Sequence, residues 1–503
     1  MGAIHDGRAL VGERRGCDVV VVGSGAGGAV AAAELAEDGL SVIVVEEGPH
    51  RPTESFSGDD MAMVRALYRD GGATTTLGRP PITYNEGRCV GGSTVINGAM
   101  AWRTPERVLR RWQRDEEMPG LTPEALDPWF ARVERLLSVA PQDPSSIGRD
   151  QHLLRQGAQR LGWRVVDNRR AQVHCAGCNR CLFGCPTGAK QSTLVSYLPR
   201  AMAFGAEVYA GCRVDRVRFR GKRAVGVEGT VVPEGGGPAA PFTVDASAVV
   251  VACGAIHTPA LLVRSGVRSP SGRIGRGLWV HPGAQVTAVF SEPVEGWKGV
   301  HQAYQVREFE DDGVIMAAVN LPPALVARSL ALDGAALGRA MEDYPRMVTA
   351  GVLVEDSSSG RVRVVRGRPV PTYDVTAADA ARIARAVRLQ AEALFAAGAV
   401  RVHLPFGPGD RVVTGMDELR GLPDPRPRDL DLLTVHLMGT AAMGGDPGRH
   451  VCDPDGRVRD TVGLSVLDAS LFPSPVGTNP METIMALSGR GAAALAEDLG
   501  RAR

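Results

Sequence analysis

The 503-residue sequence lacks the features that indicate membranes or nucleic acids as partners. It has no excess of charge, because 57 Lys and Arg residues against 56 Asp and Glu residues give a formal net charge of +1. This excludes the basic surface that nucleic-acid binding requires. No apolar run approaches the roughly 18 residues of a membrane helix. The N-terminal residues are mixed and charged, without the apolar core of a signal peptide, so we expect a cytoplasmic protein with no membrane span and no nucleic-acid partner.

Aromatic residues are also scarce, at 5% of the chain, but hydrophobic residues reach 44%. That composition is typical of a soluble globular protein. A chain of 503 residues exceeds what one hydrophobic core usually supports. We therefore expect two domains or two closely packed lobes.

The N-terminal segment predicts a dinucleotide-binding βαβ unit. The pattern consists of an apolar strand, a G-x-G-x-x-G turn, a helix of small residues and a second strand that ends in an acidic residue. These elements are residues 19–22, the turn glycines Gly23, Gly25 and Gly28, residues 29–36, residues 41–45 and Glu46. In this arrangement a pyrophosphate lies on the helix N-terminus, and the acidic residue accepts a hydrogen bond from a ribose hydroxyl.

The apolar strand pattern returns at residues 248–252 and 464–467, so the sheet is predicted to combine three distant parts of the chain. The central stretch differs, because it alternates polar and apolar residues and contains a helix with a capping box at Thr376 and Asp379. We therefore expect an α/β fold with a Rossmann-like nucleotide-binding domain and a substrate domain of antiparallel sheet plus helices. The expected boundaries are 1–285 with 430–503 for the first domain, interrupted by a cap and cysteine loop near 50–190, and 286–429 for the second.

Five groups of segments resemble the glucose–methanol–choline (GMC) oxidoreductases, a family of FAD-dependent alcohol oxidases and dehydrogenases. They are GSGAGG with VVEEGP, GRCVGGSTVINGAMAWR, GAIHTPALLVRSG, HLMGTAAMG with VLDASLFP, and GTNPMETIMALS. They follow the family's order and span nearly the whole chain. The resemblance implies that the nucleotide is FAD and that the Rossmann-like domain binds it. A further segment, CLFGCPTGAKQSTLVSYLPRA, is similar to bacterial and lipid-alcohol members.

The resemblance also implies roles for individual residues in FAD binding. The expected contacts are Gly91, Gly92 and Ser93 with the pyrophosphate, Asn97 near the flavin, the backbone of Val214 with the adenine, Asp468 and Ala469 with the ribityl–phosphate portion, and Pro480 and Met481 beside the isoalloxazine. Members with a covalent flavin carry a histidine in the region of Asn97. We therefore expect FAD to be bound non-covalently.

The same resemblance makes His436 and Asn479 the expected catalytic pair. Hydride transfer from an alcohol carbon to flavin N5 requires removal of the hydroxyl proton, and a histidine has a pKa suited to that task. Asn479 would hold the substrate oxygen by a hydrogen bond. Two other interpretations stay open, a core histidine for His436 and a helix N-cap for Asn479. His281, in GLWVHPG, matches a histidine at the domain junction of the family and is expected to be structural.

Four of the nine cysteines fall within eleven residues, with the spacing C-x2-C-x2-C-x3-C-P: Cys175, Cys178, Cys181 and Cys185. This is the spacing of bacterial ferredoxins, whose thiolates bind iron–sulfur clusters. However, no second run is present, and family members use similar turns as structural loops. Two hypotheses stay open: structural thiols or disulfides, and an iron–sulfur cluster that would accept single electrons from reduced flavin.

The sequence defines the substrate and the electron acceptor less well. The family oxidises sugars, choline, sterols and long-chain alcohols, and this chain has no apparent lipid-gating insertion. Its pattern is similar to flavin enzymes of the aminoglycoside 6'-oxidase type, so we expect a primary alcohol of a sugar or aminosugar, in antibiotic biosynthesis. A cationic substrate would need carboxylates, for which the candidates are Glu308, Glu310, Asp311 and Asp312. The acceptor is either oxygen or a redox partner.

Two other classes of function compete with this interpretation. An NAD-dependent dehydrogenase would use a similar βαβ unit, but the VLDAS and GTNP segments argue against it. A non-enzymatic flavin or iron–sulfur binding protein would hold a cofactor that no alcohol reduces. Sterol, choline and long-chain alcohols remain alternative substrates within the enzymatic class.

Overall fold

The computed structural model describes residues 3–234, 238–330, 332–407 and 411–502. The strands in these ranges are β1 Ile4–Asp6, β2 Arg14–Val22, β3 Val42–Glu46, β4 Thr74–Thr75, β5 Thr83–Tyr84, β6 Val139–Pro141, β7 Val165–Asp167, β8 Arg169–Ala171, β9 Glu207–Ala210, β10 Cys212–Arg220, β11 Arg223–Val231, β12 Ala240–Val251, β13 Arg276–Leu278, β14 Gly283–Val289, β15 Tyr304–Val306, β16 Val314–Ala318, β17 Met347–Val354, β18 Gly360–Val365, β19 Arg368–Thr372, β20 Arg401–His403, β21 Val412–Val413, β22 Leu433–Thr434 and β23 Leu464–Val466. The α-helices are α1 Ala26–Glu37, α2 Asp60–Leu67, α3 Glu106–Asp115, α4 Pro123–Leu136, α5 Arg149–Arg160, α6 Tyr197–Ala203, α7 Gly254–Arg264, α8 Pro323–Ser329, α9 Gly334–Met341, α10 Ala377–Ala396, α11 Met416–Gly421 and α12 Met481–Ala502.

The first large sheet is the predicted nucleotide-binding sheet. Its strand order is β1-β9-β3-β2-β12-β11-β10, and β23 also pairs with β12. The pairs that join β1, β9, β3, β2, β12 and β23 are parallel, and their central valines are buried on both faces. The prediction that three distant parts of the chain build this sheet is confirmed. Strand β2 begins earlier than predicted, at Arg14, because its first residues pair with the long strand β12 from Thr243 onward.

The second large sheet is mainly antiparallel, with the order β4-β5-β22-β14-β17-β16-β15-β7, and β20 pairs with β14 and β21. Helices α5 and α10 pack on it and enclose a second apolar core. The fold is therefore α/β, with a Rossmann-like domain and an antiparallel sheet with helices. Strands β4, β5 and β7 come from residues 74–167, so this sheet draws on the region predicted to be a cap insertion. The domain boundaries themselves remain a proposal.

Helix α10 follows most of its sequence signals, but only one half of the predicted capping box forms, because the carboxylate of Asp379 accepts from Oγ of Ser357 over 2.8 Å. The Oγ1 of Thr376 accepts a hydrogen bond from the backbone N–H of Asp379 over 3.0 Å, as expected of an N-cap. Ile383, Val387 and Leu394 are fully buried on the face toward the sheet. Gly398 follows the helix with φ +104°, a left-handed conformation that glycine adopts without strain.

Two features lie at the margins of this fold. The predicted surface loop at 232–241 connects β11 and β12, whose ends pair at Val231 and Ala240, and its residues 235–237 lie outside the described ranges. Within those ranges, no helix has both the length and the apolar character needed to cross a bilayer.

Candidate active site

Two glycine loops that are far apart in the sequence meet at the start of α1. The backbone N–H of Gly91 donates to Oγ of Ser24 over 2.9 Å, and a Cβ on Gly92 would lie 2.9 Å from Cα of Gly25. Gly25 occupies the N-cap position of α1, and no side chain caps the helix. The first N–H groups of α1 are therefore left for another acceptor, and the helix dipole favours an anion there.

The three glycines of the first turn serve different purposes. Gly23 adopts φ +100°, which an L side chain rarely tolerates. A Cβ on Gly28 would overlap the carbonyl of Gly23, whereas a Cβ on Gly25 would meet no atom within 4 Å. Gly25 thus borders open space beside free N–H groups, as a pyrophosphate cradle requires. Ser93, in the second loop, is exposed, and its Oγ accepts from the N–H of Gly87 over 3.0 Å.

Glu46 lies at the end of β3, next to this cradle. Its Oε2 accepts from the N–H and Oγ of Ser24 over 2.9 and 2.7 Å, and its Oε1 accepts from the N–H of Gly48 over 2.8 Å. A carboxylate offers about four acceptor positions, so these contacts leave it able to accept from one more donor. The predicted contact with a ribose hydroxyl stays a prediction, and the observed contacts give Glu46 a second task, holding the glycine turn.

Asp468 follows β23 and is bound by several donors of the chain. It accepts from the N–H of Gly254 over 2.8 Å, from Oγ1 of Thr258 over 2.5 Å, and from the N–H and Oγ of Ser470. Burial raises the pKa of its carboxyl, and these hydrogen bonds oppose that shift. The side chain therefore joins the start of α7 to the end of β23. Its predicted contact with FAD would have to come from the neighbouring backbone.

The other predicted cofactor residues surround the start of α12. Nδ2 of Asn97 lies 3.0 Å from Sδ of Met481, so the structure brings together two residues expected beside the flavin. Pro480 and Met481 are buried where α12 begins. Ala469 and Val214 are also buried. Val214 lies near the start of β10, three residues after Gly211, whose N–H donates to the carbonyl of Gly48 over 3.1 Å, just past the end of β3. The contacts of all these residues with FAD remain predictions.

His436 and Asn479 lie side by side, although 43 residues separate them. Nδ2 of Asn479 is 3.3 Å from Nε2 of His436. On the other side of the ring, Nδ1 of His436 is 3.3 Å from Nδ1 of His281, with the two rings nearly perpendicular at 85°. The backbone N–H of Gly477 donates to Nε2 of His281 over 3.1 Å. A pair of histidines, rather than a single one, therefore occupies this site.

His281 is held in an unusual backbone conformation. Its φ of +43° is in the left-handed region, where residues other than glycine are uncommon. The carboxylate of Asp356 stabilises this turn by accepting from the N–H groups of Val280 and His281 over 2.9 and 3.3 Å. Such strained residues concentrate at functional sites. The structural role expected of His281 stays a prediction, and the structure adds that this ring lies in contact with His436.

Burial controls the protonation of both rings. Burial lowers the pKa of His436 to about 4, so the ring is neutral near pH 7 and able to accept a proton. Burial also lowers the pKa of His281 well below its ordinary value, and His436 and the guanidinium groups of Arg107 and Arg111 add to this effect. Both arginines bind Glu355, over 2.6 and 2.9 Å.

A chain of fixed hydrogen bonds holds Asn479 from the opposite side. Nε2 of Gln305, on β15, donates to Oδ1 of Asn479 over 3.1 Å, and Nε of Arg307 donates to Oε1 of Gln305 over 2.9 Å. Arg307 is anchored by Oγ1 of Thr478 at 3.1 Å and lies 3.7 Å above the Trp102 ring. Because an arginine cannot accept hydrogen bonds, these contacts turn the NH2 group of Asn479 toward His436.

His436 and Asn479 could be identified from the sequence, whereas Gln305, Arg307 and the contact of Gly477 with His281 could not. Gln305 and Arg307 come from the variable central region, where no local motif marks them. The sequence showed His281 in the GLWVHPG segment, but it could not show the contact of His281 with His436, because the two residues are 155 positions apart. Gly477 begins the GTNPMETIMALS segment, and its φ of +65° explains why a glycine stands there.

The four clustered cysteines do not form a metal site in the described parts of the chain. Among residues 3–234, 238–330, 332–407 and 411–502, no three His, Cys, Asp or Glu side chains are placed to hold a metal ion. Cys178 is exposed, whereas Cys181 and Cys185 are buried, and all four side chains are free thiols. The iron–sulfur hypothesis therefore finds no support. A short motif fixes spacing along the chain but not the direction of each thiol.

The cysteine turn is instead fixed by polar contacts. Nη2 of Arg170 lies 3.2 Å from Sγ of Cys181, and the N–H of Lys190 lies 3.3 Å from Sγ of Cys185. The buried ammonium of Lys190 donates to the carbonyls of Cys181, Val95 and Asn97. The turn thereby packs against the segment that is expected to face the flavin, which supports a structural loop.

Comparison with known proteins identifies the family. The GMC oxidoreductase family matches residues 64–283 and 356–488 through its two regions, and an FAD binding domain family matches residues 18–72. An uncharacterized GMC-type oxidoreductase of Mycobacterium tuberculosis is 41% identical over 475 residues, which cover 94% of this chain and 74% of the relative.

Two more distant relatives have named activities. The long-chain-alcohol oxidase FAO4B of Arabidopsis thaliana is 29% identical over 499 residues, or 93% of this chain and 66% of that protein. The paromamine 6'-oxidase of Streptomyces fradiae is 29% identical over 555 residues, or 99% of this chain and 95% of that protein.

Among solved structures, pyridoxine 4-oxidase from Mesorbium loti has the same fold, with a TM-score of 0.71, 18% identity, and coverage of 95% of this chain and 99% of that one. The fold, the two glycine loops and the family matches over most of the length agree. The chain belongs to the GMC oxidoreductase family and is an FAD-dependent oxidoreductase that acts on alcohol donors.

Proposed function

We propose that this chain oxidises a polar primary alcohol to a carbonyl compound, with His436 as the general base and Asn479 as the hydrogen-bond donor to the reacting oxygen. The observation that carries the proposal is the 3.3 Å separation between Nε2 of His436 and Nδ2 of Asn479. One oxygen can lie about 2.9 Å from both nitrogen atoms, at normal hydrogen-bond distance. An alcohol held there would face the base and the donor together.

Each residue has a distinct part in this reaction. Asn479 donates to the alcohol oxygen and, because Gln305 occupies its Oδ1, offers no competing acceptor. His436 is neutral near pH 7 and takes the hydroxyl proton at Nε2. Bound FAD supplies the hydride acceptor at N5. Removal of the proton lets electron density move into the forming carbonyl as the hydride leaves carbon.

Asn97 supports non-covalent binding of FAD. It occupies the region where covalently flavinylated members carry a histidine, and an amide offers no nucleophile for such a bond. Its Nδ2 is directed to Met481, and its Oδ1 accepts from the N–H of Ala99 over 3.0 Å. Acid precipitation of the purified protein should therefore release all of its flavin into the supernatant. Flavin that stays with the precipitate would contradict this part of the proposal.

The polar surroundings of Asn479 support a sugar-like alcohol as the substrate. Gln305 and Arg307 lie behind it, and the amide of Asn168 joins Trp102 to the same region. The 29% identity with paromamine 6'-oxidase adds support from similarity.

The acidic run at 308–312 gives less support for a polycationic aminosugar. Glu310 forms ion pairs with Arg164 and Arg307 at 2.7 and 3.0 Å, and Asp312 pairs with Arg385 at 2.9 Å. Glu308 accepts from the N–H of Arg164. Ammonium groups of a substrate would have to displace these arginines. A neutral sugar alcohol is therefore our first candidate, and an aminosugar is the second.

Anaerobic reduction of the bound flavin by a panel of alcohols tests this proposal. The panel contains neutral sugars, aminosugars, choline, a sterol and long-chain primary alcohols, each mixed with the FAD-loaded protein. Bleaching by sugars or aminosugars alone is the expected result. Bleaching only by long-chain alcohols would overturn the substrate class and favour the likeness to the Arabidopsis oxidase. Bleaching by none of them would contradict the proposed function.

A further inference from the structure

The small sheet formed by β13, β18 and β19 has an outward face that the proposed reaction does not use. In β18, Val362 is 4% exposed, whereas its neighbours Arg361 and Arg363 are exposed. Side chains alternate between the two faces of a strand, so both arginines lie on the outward face and Val362 on the inward one. The inward face packs against α7, and the outward face is open to solvent.

The strand register places further side chains on the same outward face. Arg361 lies directly opposite Arg276 of β13 on one side and Thr372 of β19 on the other. Thr372 in turn forms a parallel bridge with Leu77, whose side chain is 58% exposed. Residues paired in this way share a face, so a row of outward side chains runs from Leu77 to Arg276.

The turn between β18 and β19 completes this surface. Arg368 lies opposite Val365, which is 52% exposed. The outward side chains thus combine four arginines with two exposed aliphatic groups at the margins. We call them the arginine face: Arg276, Arg361, Arg363, Arg368, Leu77 and Val365.

The guanidinium groups of the arginine face form no ion pair with an Asp or Glu in the parts of the chain that the structure describes. Elsewhere exposed arginines are paired, as Arg216 of β10 is with Glu228 of β11. Arg276 and Arg361 even lie directly opposite each other, and like charges in that position destabilise a sheet. The formal net charge of +1 is only a total, and this face carries charge of one sign. Charge that is concentrated against its own repulsion indicates a role in binding an anion.

The composition of the arginine face favours one kind of anionic partner. A guanidinium group binds phosphate oxygens with two parallel hydrogen bonds, and clusters of such cations bind anionic lipids. A nucleic-acid duplex also presents phosphates, but its backbone offers no apolar environment for Leu77 and Val365. A phospholipid surface offers both, because its phosphates lie directly above the boundary of the acyl chains.

We propose that the arginine face docks this protein on the surface of an anionic phospholipid membrane, without crossing it. The four guanidinium groups bind lipid phosphates, while Leu77 and Val365 enter the headgroup layer. The face is joined to the segment that carries the proposed base, because the N–H of Gly275, just before β13, donates to the carbonyl of Thr440 over 2.7 Å. Docking therefore holds the segment of His436 near the membrane.

Sedimentation of the FAD-loaded protein with lipid vesicles tests the proposal. The vesicles contain either phosphatidylcholine alone or equal parts of phosphatidylcholine and phosphatidylglycerol. The protein should sediment only with the anionic vesicles, and high salt should release it, because salt screens exposed charges. The double variant Arg361→Gln with Arg363→Gln should bind these vesicles roughly 30-fold more weakly, since each arginine near an anionic surface contributes a factor of about five.

Arg110→Gln with Arg114→Gln is the matched control, because it removes the same charge from exposed positions on α3. This control should keep wild-type affinity for the anionic vesicles. The variant of Arg361 and Arg363 should have a Tm at least equal to that of the wild type, since it relieves the repulsion from Arg276. Equal loss of affinity in both double variants would show a general attraction of charge and would overturn docking through the arginine face.

A tryptophan reporter tests the apolar margin of the face. The additional emission of Val365→Trp should be quenched by anionic vesicles that contain brominated lipid. Val400→Trp is the control, because Val400 is 46% exposed and lies outside the small sheet, and its emission should not be quenched. Quenching of both reporters, or of neither, would overturn the proposed orientation.

Other partners would give different results. If the wild type does not sediment with anionic vesicles, the lipid proposal is overturned. Binding to duplex DNA or to polyglutamate that depends on Arg361 and Arg363 would then assign the face to a nucleic acid or to an acidic protein. None of these measurements needs turnover, so failure of the proposed alcohol oxidation would leave their outcome unchanged.

Discussion

Nε2 of Gln305 donates to Oδ1 of Asn479 over 3.1 Å, and this contact directs the NH2 group of Asn479, rather than its oxygen, toward His436. Arg307 holds Gln305 in turn through a 2.9 Å hydrogen bond to Oε1, so the orientation of both amides follows from one obligatory donor. The donor aimed at the reacting oxygen is thus set by residues that do not touch it. Preorganised donors of this kind provide much of the stabilisation of charge that develops in a transition state.

Replacement of Gln305 by glutamate reverses this arrangement without a change of size. A Gln305→Glu carboxylate accepts but does not donate, so the Asn479 amide should turn its NH2 group toward it and its oxygen toward His436. We expect kcat to fall about 10²-fold, the usual effect of losing one such donor, with a smaller change in KM. Steady-state kinetics with the substrate identified by the panel measures this effect.

Gln285→Glu is the matched control, because Gln285 lies in the same sheet on β14 and is only partly buried. It should leave kcat unchanged. A wild-type kcat in Gln305→Glu would show that the orientation of Asn479 does not depend on Gln305.

Gly25→Ala tests the pyrophosphate cradle. A Cβ at Gly25 meets no protein atom within 4 Å, so the variant should fold with an unchanged Tm in the absence of FAD. The added methyl group would nevertheless enter the space beside the α1 N-terminus, so FAD should bind at least 10-fold more weakly, as expected when a phosphate loses close backbone contacts worth about 1.4 kcal/mol or more. Fluorescence titration of the flavin-free protein measures the Kd.

Gly120→Ala is the matched control, because Gly120 is exposed and a Cβ there would also meet open space, so this variant should bind FAD with wild-type affinity. Equal affinity for FAD in both variants would argue against the cradle.

The lowered pKa of His436 predicts an unusually acidic limit for the activity. Burial lowers this pKa from 6.5 to about 4, and only the neutral ring accepts a proton. As the pH falls, kcat/KM should therefore stay level through pH 6 and reach half its value near pH 4, since this ratio reports groups of the free enzyme. Rapid pH-jump assays, with circular dichroism at each pH to monitor folding, measure the profile. A midpoint near 6.5 would mean that the ring is solvated in the working enzyme.

The cysteine turn should hold no cluster. Protein purified without oxygen should contain neither stoichiometric iron nor acid-labile sulfide, because no three metal-ligating side chains converge in the described parts of the chain. Cys178→Ser, at the exposed cysteine of the run, should keep the flavin spectrum and the rate of flavin reduction. Iron that disappears in this variant would restore the iron–sulfur hypothesis.

The nucleotide-binding sheet was predictable because its signals are local. The buried valine run, the three glycines at fixed spacing and the next strand all lie within about 30 residues, the length of a βαβ unit, so one short stretch of sequence predicts the unit. The strands near residues 250 and 465 could be assigned to the same sheet because they have the same run of apolar residues as β2. The contribution of β4, β5 and β7 to the second sheet was not predictable. These strands are two or three residues long. Strands β5 and β7 depend on partners far away in the chain, and β4 joins the sheet through β5.

The candidate site likewise contains residues that the sequence could predict and residues that it could not. His436 and Asn479 could be named from their motifs. Gln305, in contrast, lies on the three-residue strand β15 and Arg307 directly follows it, and β15 pairs with the distant strand β7. The role of His281 depends on which of its nitrogen atoms meets Gly477 and which meets His436. Spacing along the sequence carries no information on that point. The iron–sulfur hypothesis finds no support in the described parts of the chain for the same reason, since spacing along the sequence does not give the direction of the thiols.

The most direct test of the central claim is anaerobic reduction of the flavin in His436→Ala. The variant should retain bound FAD and its folded spectrum, because His436 is not among the residues expected to hold the cofactor. Its flavin should be reduced by the preferred alcohol at least about 10²-fold more slowly than the wild type, since the general base is lost. His152→Ala, an exposed histidine on α5, should match the wild type. A His436→Ala variant that keeps its flavin and is reduced at the wild-type rate would contradict the assignment of His436 as the base.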